Sequence, residues 1–358
     1  MALNRQVTAR LILMAGVVAA FVAAWQNFRT IPMLVLGQPK TVGLLQREQE
    51  APFFRHLAET TDLPLVITYR TADSFGLKDT HQLEALRDGR VDIASLRFMQ
   101  NITKEPALEG LDLPGMIPDF QQARRVAEAY APTLDRDLQD RFGAKLLGLW
   151  SFGPQIMVCR SPLAKLSDLQ GRKVRIASPG LAQLIAEIGG IPVILPFEDT
   201  KKALELGLVD CAVTSAASAN FAGWTDHTRY YFPLAFQFGF NGYVISLAKW
   251  KALGPEEQER LSKAFSAFSV KLWGYSEELQ RESERCILGG PCRQLRPSAL
   301  QRVPVSREDV QLLQRISREV VLPSWSARCE SHRPGCRRTW DQIVAPVTGF
   351  ARPTQSLP

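Results

Sequence analysis

The sequence predicts an α/β protein of two lobes, each discontinuous in the chain, joined by crossing strands and a long helix. Three observations predict it. β-branched runs alternate with amphipathic helical patterns from Pro39 to Ser215, the grammar of largely parallel strands. The segments EALRDGRVDIAS (Glu84–Ser95) and KALELGLVDCAV (Lys202–Val213) share one pattern of helix, glycine, Val-Asp and strand, which points to two similar lobes rather than one sheet. After the second lobe, YVISLAKWKAL (Tyr243–Leu253) leads into a long amphipathic pattern, Pro255–Glu278, so the chain recrosses a boundary it has already passed.

The elements follow in order. PKTVGLL (Pro39–Leu45) reads as a strand and PFFRHLAETT (Pro52–Thr61) as a helix. LPLVITYRT (Leu63–Thr71) is a strand rich in β-branched residues. HQLEALRDG (His81–Gly89) is a helix with Gly89 as its C-cap, and VDIASL (Val91–Leu96) a strand. LDLPGMIPDF is a loop punctuated by proline. Gln121–Phe142 is a helix with Val126, Tyr130, Leu134 and Leu138 on one face, expected to kink or split at Pro132. Ala144–Trp150, Gln155–Arg160, KVRIAS and Pro192–Phe197 are strands, with GLAQLIAEIGG a helix between the last two. These elements divide the chain into 39–150 (first part of lobe 1), 151–238 (lobe 2) and 239–340 (return to lobe 1, with the spanning helix and a cysteine-bearing segment). The last stretch, 345–358, is expected to be a disordered tail.

The N-terminus indicates export. Arg5 and Arg10 precede LILMAGVVAAFVAAW (Leu11–Trp25), a basic region followed by a short apolar core, as in a secretory signal peptide. The predicted signal is 1–24, and the predicted location the periplasm; an uncleaved N-terminal anchor is the alternative. The apolar run is short for a bilayer span. Six cysteines agree with an oxidising compartment: Cys286 and Cys292 bracket ILGGP, Cys329 and Cys336 bracket ESHRPG, and both pairs read as local disulfides. A zinc site is the competing reading, on spacings longer than zinc normally uses. Cys159 and Cys211 read as small buried hydrophobes.

Known chemistry leaves few traces. The net charge of +7 is spread along the chain, with no basic run interleaved with aromatics, so no nucleic-acid partner is expected. The four histidines show no metal spacing, HExxH and G-x-S-x-G are absent, and no phosphate-binding loop occurs. No catalytic residue, metal or cofactor is predicted, and the protein is not read as an enzyme. In DLQGRKVRIA, Arg175 stands between Val174 and Ile176 on a strand, so its guanidinium faces away from those two. A buried guanidinium needs a partner: an internal carboxylate, or a ligand.

Leu166–Ser215 resembles the solute-binding proteins of tripartite ATP-independent periplasmic (TRAP) transporters, of the dicarboxylate-binding type. The shared pattern is DL-x-G-x-K-x-R, a helix, G-x-x-PV, an aromatic, then AL-x-x-G-x-VD. LEALRDGRVDIASL, the leucine-proline loop, the strand ending GLW and W-x-x-L-x-x-E-x-Q (Trp250–Gln258) extend it over about Pro39 to Leu272. The resemblance implies a periplasmic-binding-protein-like fold. It implies a monomer that closes on a small organic acid and serves the membrane subunits of a TRAP transporter. A subunit reporting to a sensor, or an exported enzyme, is the alternative.

The family's carboxylate-gripping arginine falls on Arg175. Gln155 stands where many members carry a second arginine, and Arg97 where better-known members carry an acid. Thr214, Ser215 and Ser218 lie at a strand-to-helix turn suited to an anion or to plain N-capping. Asn220 on the following helix and Ser95 after the Val-Asp strand are further candidates. Trp150 and Phe197 are candidate cleft walls, with core packing as the alternative for each.

Overall fold

The computed structural model describes residues 30–77 and 79–350. The predicted signal, 1–24, and the tail beyond 350 lie outside these residues.

Ile31–Gly37 (β1) opens a five-stranded sheet of order β2-β1-β3-β10-β4, with β2 Leu65–Thr71, β3 Ile93–Arg97, β4 Ala144–Ser151 and β10 Phe240–Ser246. β1 runs parallel to β2 and β3, whereas β10 is antiparallel to β3 and β4. The second sheet has the order β11-β9-β5-β8-β6-β7. Its members are β5 Gln155–Cys159, β6 Lys173–Ile176, β7 Ile191–Ile194, β8 Cys211–Ser215, β9 Tyr230–Gln237 and β11 Gln301–Arg302. β6 runs parallel to β7 and β8. The chain passes between the sheets three times: directly from β4 to β5 and from β9 to β10, and through the long helix from β10 to β11.

The repeated segment explains the shared lobe design. In each copy a glycine with positive φ, Gly89 or Gly207, ends the helix. A buried valine follows, then an aspartate that ties the new strand to its parallel neighbour. Asp92 donates its backbone N–H to Leu34 O (2.9 Å) and accepts Leu34 N–H on its carboxylate (2.8 Å). Asp210 does the same with Lys173, at 2.8 Å for both bonds. One aspartate therefore satisfies both polar groups of one residue in the neighbouring strand, which fixes where β3 and β8 start.

Alternation along the strands sorts the core. Ile31, Met33 and Val35 of β1, Ile93 of β3 and Tyr243 and Ile245 of β10 face Leu261, Phe265, Phe268 and Leu272 of the long helix Pro255–Ile287. Leu36, Ala94, Leu96 and Val244 face the opposite way, onto Val126, Tyr130, Leu134 and Leu138 of the helix Phe120–Phe142. The 33-residue helix spans about 50 Å at the usual rise. It packs on β4 at one end and on the helix Ala216–Phe221 of the second lobe at the other.

Several expectations need correction. PKTVGLL is a 3-10 turn, Lys40–Val42, running into helix; the first strand is the preceding Ile31–Gly37. Every residue of β1, IPMLVLG, is apolar or glycine, so no polar alternation marked it. Phe120–Phe142 is one helix through Pro132, packed along most of its length. The region 239–340 does not return wholly to the first lobe. β11 pairs with β9 in the second sheet. The C-terminal helices Leu322–His332 and Cys336–Thr348 bridge the lobes: Trp325 and Trp340 donate their indole N–H groups to Pro106 O (2.8 Å) and Gly110 O (2.7 Å), and Ser324 accepts from Gln183 of the second lobe. The expected tail begins inside Cys336–Thr348, and both Ala345 and Phe350 are buried.

Three disulfides are formed. Cys286–Cys292 and Cys329–Cys336 are the local pairs. Cys159 and Cys211 are not separate hydrophobes but a third, Cys159–Cys211. They stand directly opposite on antiparallel β5 and β8, with Cα atoms 4.1 Å apart. The adjoining pair is hydrogen-bonded through Arg160 N and Asp210 O, so the cysteines occupy a close, non-hydrogen-bonded position. Fifty-two residues separate them in sequence, and only the sheet register brings them together.

Candidate functional site

The parallel strands of both sheets point their C-terminal ends at one crevice, where open α/β sheets hold ligands. Its interior volume is about 40 Å³. Arg97, Met99 and Gln100 line it from the first lobe; Arg175, Phe197, Val213, Thr214 and Ser218 line it from the second. Phe152 and Gln155 from one crossing, and Gly239, Phe240 and Asn241 from the other, form its floor.

Arg175 is 3% exposed. Val174 and Ile176 turn into the core beneath the sheet, and the guanidinium lies on the other face, 5.3 Å from the Trp224 ring centroid and 6.0 Å from that of Phe197. Nε and Nη2 donate to Leu195 O (3.1 and 2.9 Å), and Nη1 donates to Val213 O (3.2 Å). Of five N–H groups three are thus used, leaving one on each of Nη1 and Nη2 to donate to a ligand carboxylate. Among the described residues no carboxylate forms an ion pair with it. Burial, then the charge of Arg97, pushes its pKa down to about 10, with Glu198 acting in the opposite direction, so it stays charged at neutral pH.

Gln155, Thr214, Ser218, Phe197 and Arg97 share this crevice with Arg175. The other candidates do not. Trp150 is fully buried on the face of β4 that meets the long helix, against Phe152 and Tyr243; the crevice opens at strand ends, not on that face. Ser95 Oγ donates to Glu50 Oε2 (2.7 Å) and accepts from Gln38 Nε2 (2.9 Å), inside the first sheet's polar core. Ser215 caps the helix Ala216–Phe221, accepting Ser218 N–H and donating to Ser218 Oγ. Asn220 turns from the crevice to the backbone of Arg296, at 2.7 and 2.9 Å.

Sequence reasoning missed Asn241. The signal was present: Gly153-Pro154-Gln155 and Gly239-Phe240-Asn241 both read glycine, any residue, amide, and both follow a crossing. It also missed Asp112, in the loop read only as proline-rich. Its carboxylate accepts the backbone N–H groups of Phe238 (2.7 Å) and Gly239 (2.8 Å), and its carbonyl accepts from Gln237 Nε2 (2.6 Å). Gln237 in turn accepts from Ser178 at 3.0 Å. Ser151 Oγ donates to Phe238 O, and Phe152 N–H to Gly239 O (3.1 Å), so Asp112 anchors both crossings. An aspartate between two leucines enters a core only when such donors meet it.

Burial raises the Asp112 pKa to about 8 against the pull of the two N–H groups, with Glu109 adding to the rise. The folded protein therefore keeps a proton that the unfolded chain releases near pH 4, and stability falls as pH rises from about 4 to about 8. Burial also raises the pKa of Glu50, in the same sense. We expect the thermal midpoint to drop between about pH 5 and about pH 9. Asp112→Asn should flatten that slope, though it lowers the midpoint throughout by setting an amide against a backbone N–H. An unchanged slope would show that Asp112 does not titrate in this range.

A family model, bacterial extracellular solute-binding protein, family 7, matches residues 50–316. The chain belongs to this family. That agrees with the resemblance read from the K-x-R strand and the repeated Val-Asp segments. Among curated relatives, the C4-dicarboxylate-binding periplasmic protein DctP of Rhodobacter capsulatus is 25% identical over 218 residues, 59% of this chain and 63% of that protein. The match thus spans under two thirds of that relative. Among solved structures, an extracytoplasmic solute receptor of Bordetella pertussis binding pyroglutamic acid aligns with TM-score 0.75 and 18% identity, covering 87% of this chain and 99% of the other. A TRAP periplasmic solute-binding protein from Rhodoferax ferrireducens with bound malonate aligns with TM-score 0.76 and 17% identity, covering 88% and 98%. Both likenesses show the two-lobed fold. No helix among the described residues is long and apolar enough to cross a membrane.

Proposed function

We propose that the protein captures a small organic acid outside the cytoplasm and passes it to the membrane subunits of a TRAP transporter, without acting on it chemically. The observation that carries this reading is Arg175: buried, charged, held by two backbone carbonyls, with a pair of N–H groups left over at an interlobe crevice. The family supports it, as do the acids bound by the Rhodobacter, Bordetella and Rhodoferax proteins.

The open form exposes Arg175 to water, and a carboxylate takes up the free N–H groups. Thr214, Ser218 and the floor amides complete the contacts as the lobes turn about Phe152–Pro154 and Phe238–Gly239. Closure is favoured only by as much as the ligand binds the closed form better. The N-terminal segment acts as an export signal, and the receptor works as a monomer.

Mass spectrometry of small molecules carried through purification, followed by a thermal-shift screen of organic acids, tests the proposal. A ligand of the folded state raises the midpoint with concentration by mass action. Stabilisation by uncharged analogues and by none of the acids would remove the proposal.

A further inference from the structure

The crevice floor discriminates among carboxylates. Gln155 and Asn241 sit at corresponding places, each two residues after a glycine of positive φ, Gly153 or Gly239. Each donates its amide N–H to the carbonyl of that glycine, Gln155 Nε2 to Gly153 O and Asn241 Nδ2 to Gly239 O, both at 3.0 Å. This fixes the amide orientation by chemistry, because the reverse would set two oxygens against each other. The two turns also touch: a Cβ on Gly239 would lie 2.7 Å from Gln155 Nε2, and its φ of +64° favours glycine there. The amide oxygens are what remain. Both residues line the cavity and are nearly buried, at 6% and 2% exposed. Neither oxygen accepts a hydrogen bond from a described residue.

An acceptor at a closing site that meets no donor loses its water without replacement, which disfavours closure. A second carboxylate on the ligand would place lone pairs against these oxygens. An O–H or N–H would satisfy them. Arg97, the other cation at the crevice, has partners of its own. Sheet spacing sets the scale. Gln155 lies opposite Ser215, and Arg175 opposite Ala212, two strands away, so their backbones stand roughly 14 Å apart. Ser215 and Ala212 lie on opposite faces of β8, so Arg175 and Gln155 meet only at the strand ends, where both line the crevice.

We infer that the ligand is a small monocarboxylate carrying a neutral O–H or N–H donor beside its acid group, the acid held by Arg175 and the donor read by the amide oxygens of Gln155 and Asn241. This rests on the proposed reading of the crevice as a carboxylate site.

Calorimetric titration of the ligand-free, full-length mature protein with matched acids tests it. Lactate is compared with propionate, pyroglutamate with cyclopentanecarboxylate, and malonate serves as the small dicarboxylate. A site built to bond a donor rejects the analogue lacking it strongly, so at least one donor-bearing acid should bind about 100-fold or more tighter than its partner and than malonate. Gln155→Leu and Asn241→Leu should shrink that ratio toward one. If either variant does not fold, the ratios of the unaltered protein decide alone. Equal binding within both pairs, or preference for malonate, overturns the inference while leaving Arg175 as a carboxylate grip. Failure of every acid to bind overturns both together.

Discussion

Arg175→Ala is expected to cost the protein its affinity for carboxylates, by about 30-fold to several-thousand-fold, the range for removing one partner of a buried charge pair. The loss should fall on binding rather than folding. Arg175 gives the fold three hydrogen bonds to two carbonyls, Leu195 and Val213, and water entering the space left by the side chain can replace them. Its burial and its closeness to Arg97 work against the folded state, which offsets part of that loss. Arg175→Lys separates charge from geometry: an ammonium keeps the attraction but has no planar fork, so affinity should be intermediate. Calorimetric titration with an acid that stabilises the unaltered protein measures both variants. Undiminished affinity in Arg175→Ala would show that the carboxylate binds elsewhere.

Glu50→Ala should destabilise the protein by about 3–4 kcal/mol without touching the crevice, because it strands several buried donors at once. Oε1 of Glu50 accepts Gln38 N–H (2.6 Å) and Tyr69 OH (2.9 Å), while Oε2 accepts Ser95 OH (2.7 Å) and Tyr243 OH (2.9 Å). One fully buried carboxylate thus joins β2, β3, β10 and the residue that follows β1. Burial raises its pKa, but the four donors oppose the rise. Removing the acceptor leaves Gln38 N–H with no way to turn elsewhere, whereas the three hydroxyls can rotate. Glu50→Gln, which keeps one oxygen, should cost less. Urea unfolding reads both as shifts in midpoint at constant slope. A cost below about 1 kcal/mol would mean that water replaces the carboxylate. The network also explains why Ser95, at the end of a Val-Asp strand as Thr214 is, does not line the crevice: Glu50 and Gln38 already hold it.

Much of the candidate site was legible because it depends on local pattern. Alternation alone separates Arg175 from Val174 and Ile176, and the Val-Asp repeats mark the strands whose ends meet at the crevice. Thr214 and Ser218 follow from the strand-to-helix turn. The candidates that do not line the crevice share a cause. Trp150, Asn220 and Ser215 were placed by nearness in sequence to the crevice, yet one residue along a strand reverses a side chain and one helix position turns it by 100°. Trp150 accordingly faces the long helix, and Asn220 the Arg296 backbone.

The strand–helix alternation from Leu65 to Ser215, the duplicated half-design, the two local disulfides and the arginine poised on β6 follow from the sequence itself, since each rests on local periodicity or spacing. The Cys159–Cys211 bond, the aspartate anchoring both crossings, the four-donor carboxylate and the paired floor amides were settled only by the folded chain. Each joins groups dozens of residues apart, and which partner a buried polar group finds depends on sheet register and on how the two lobes meet.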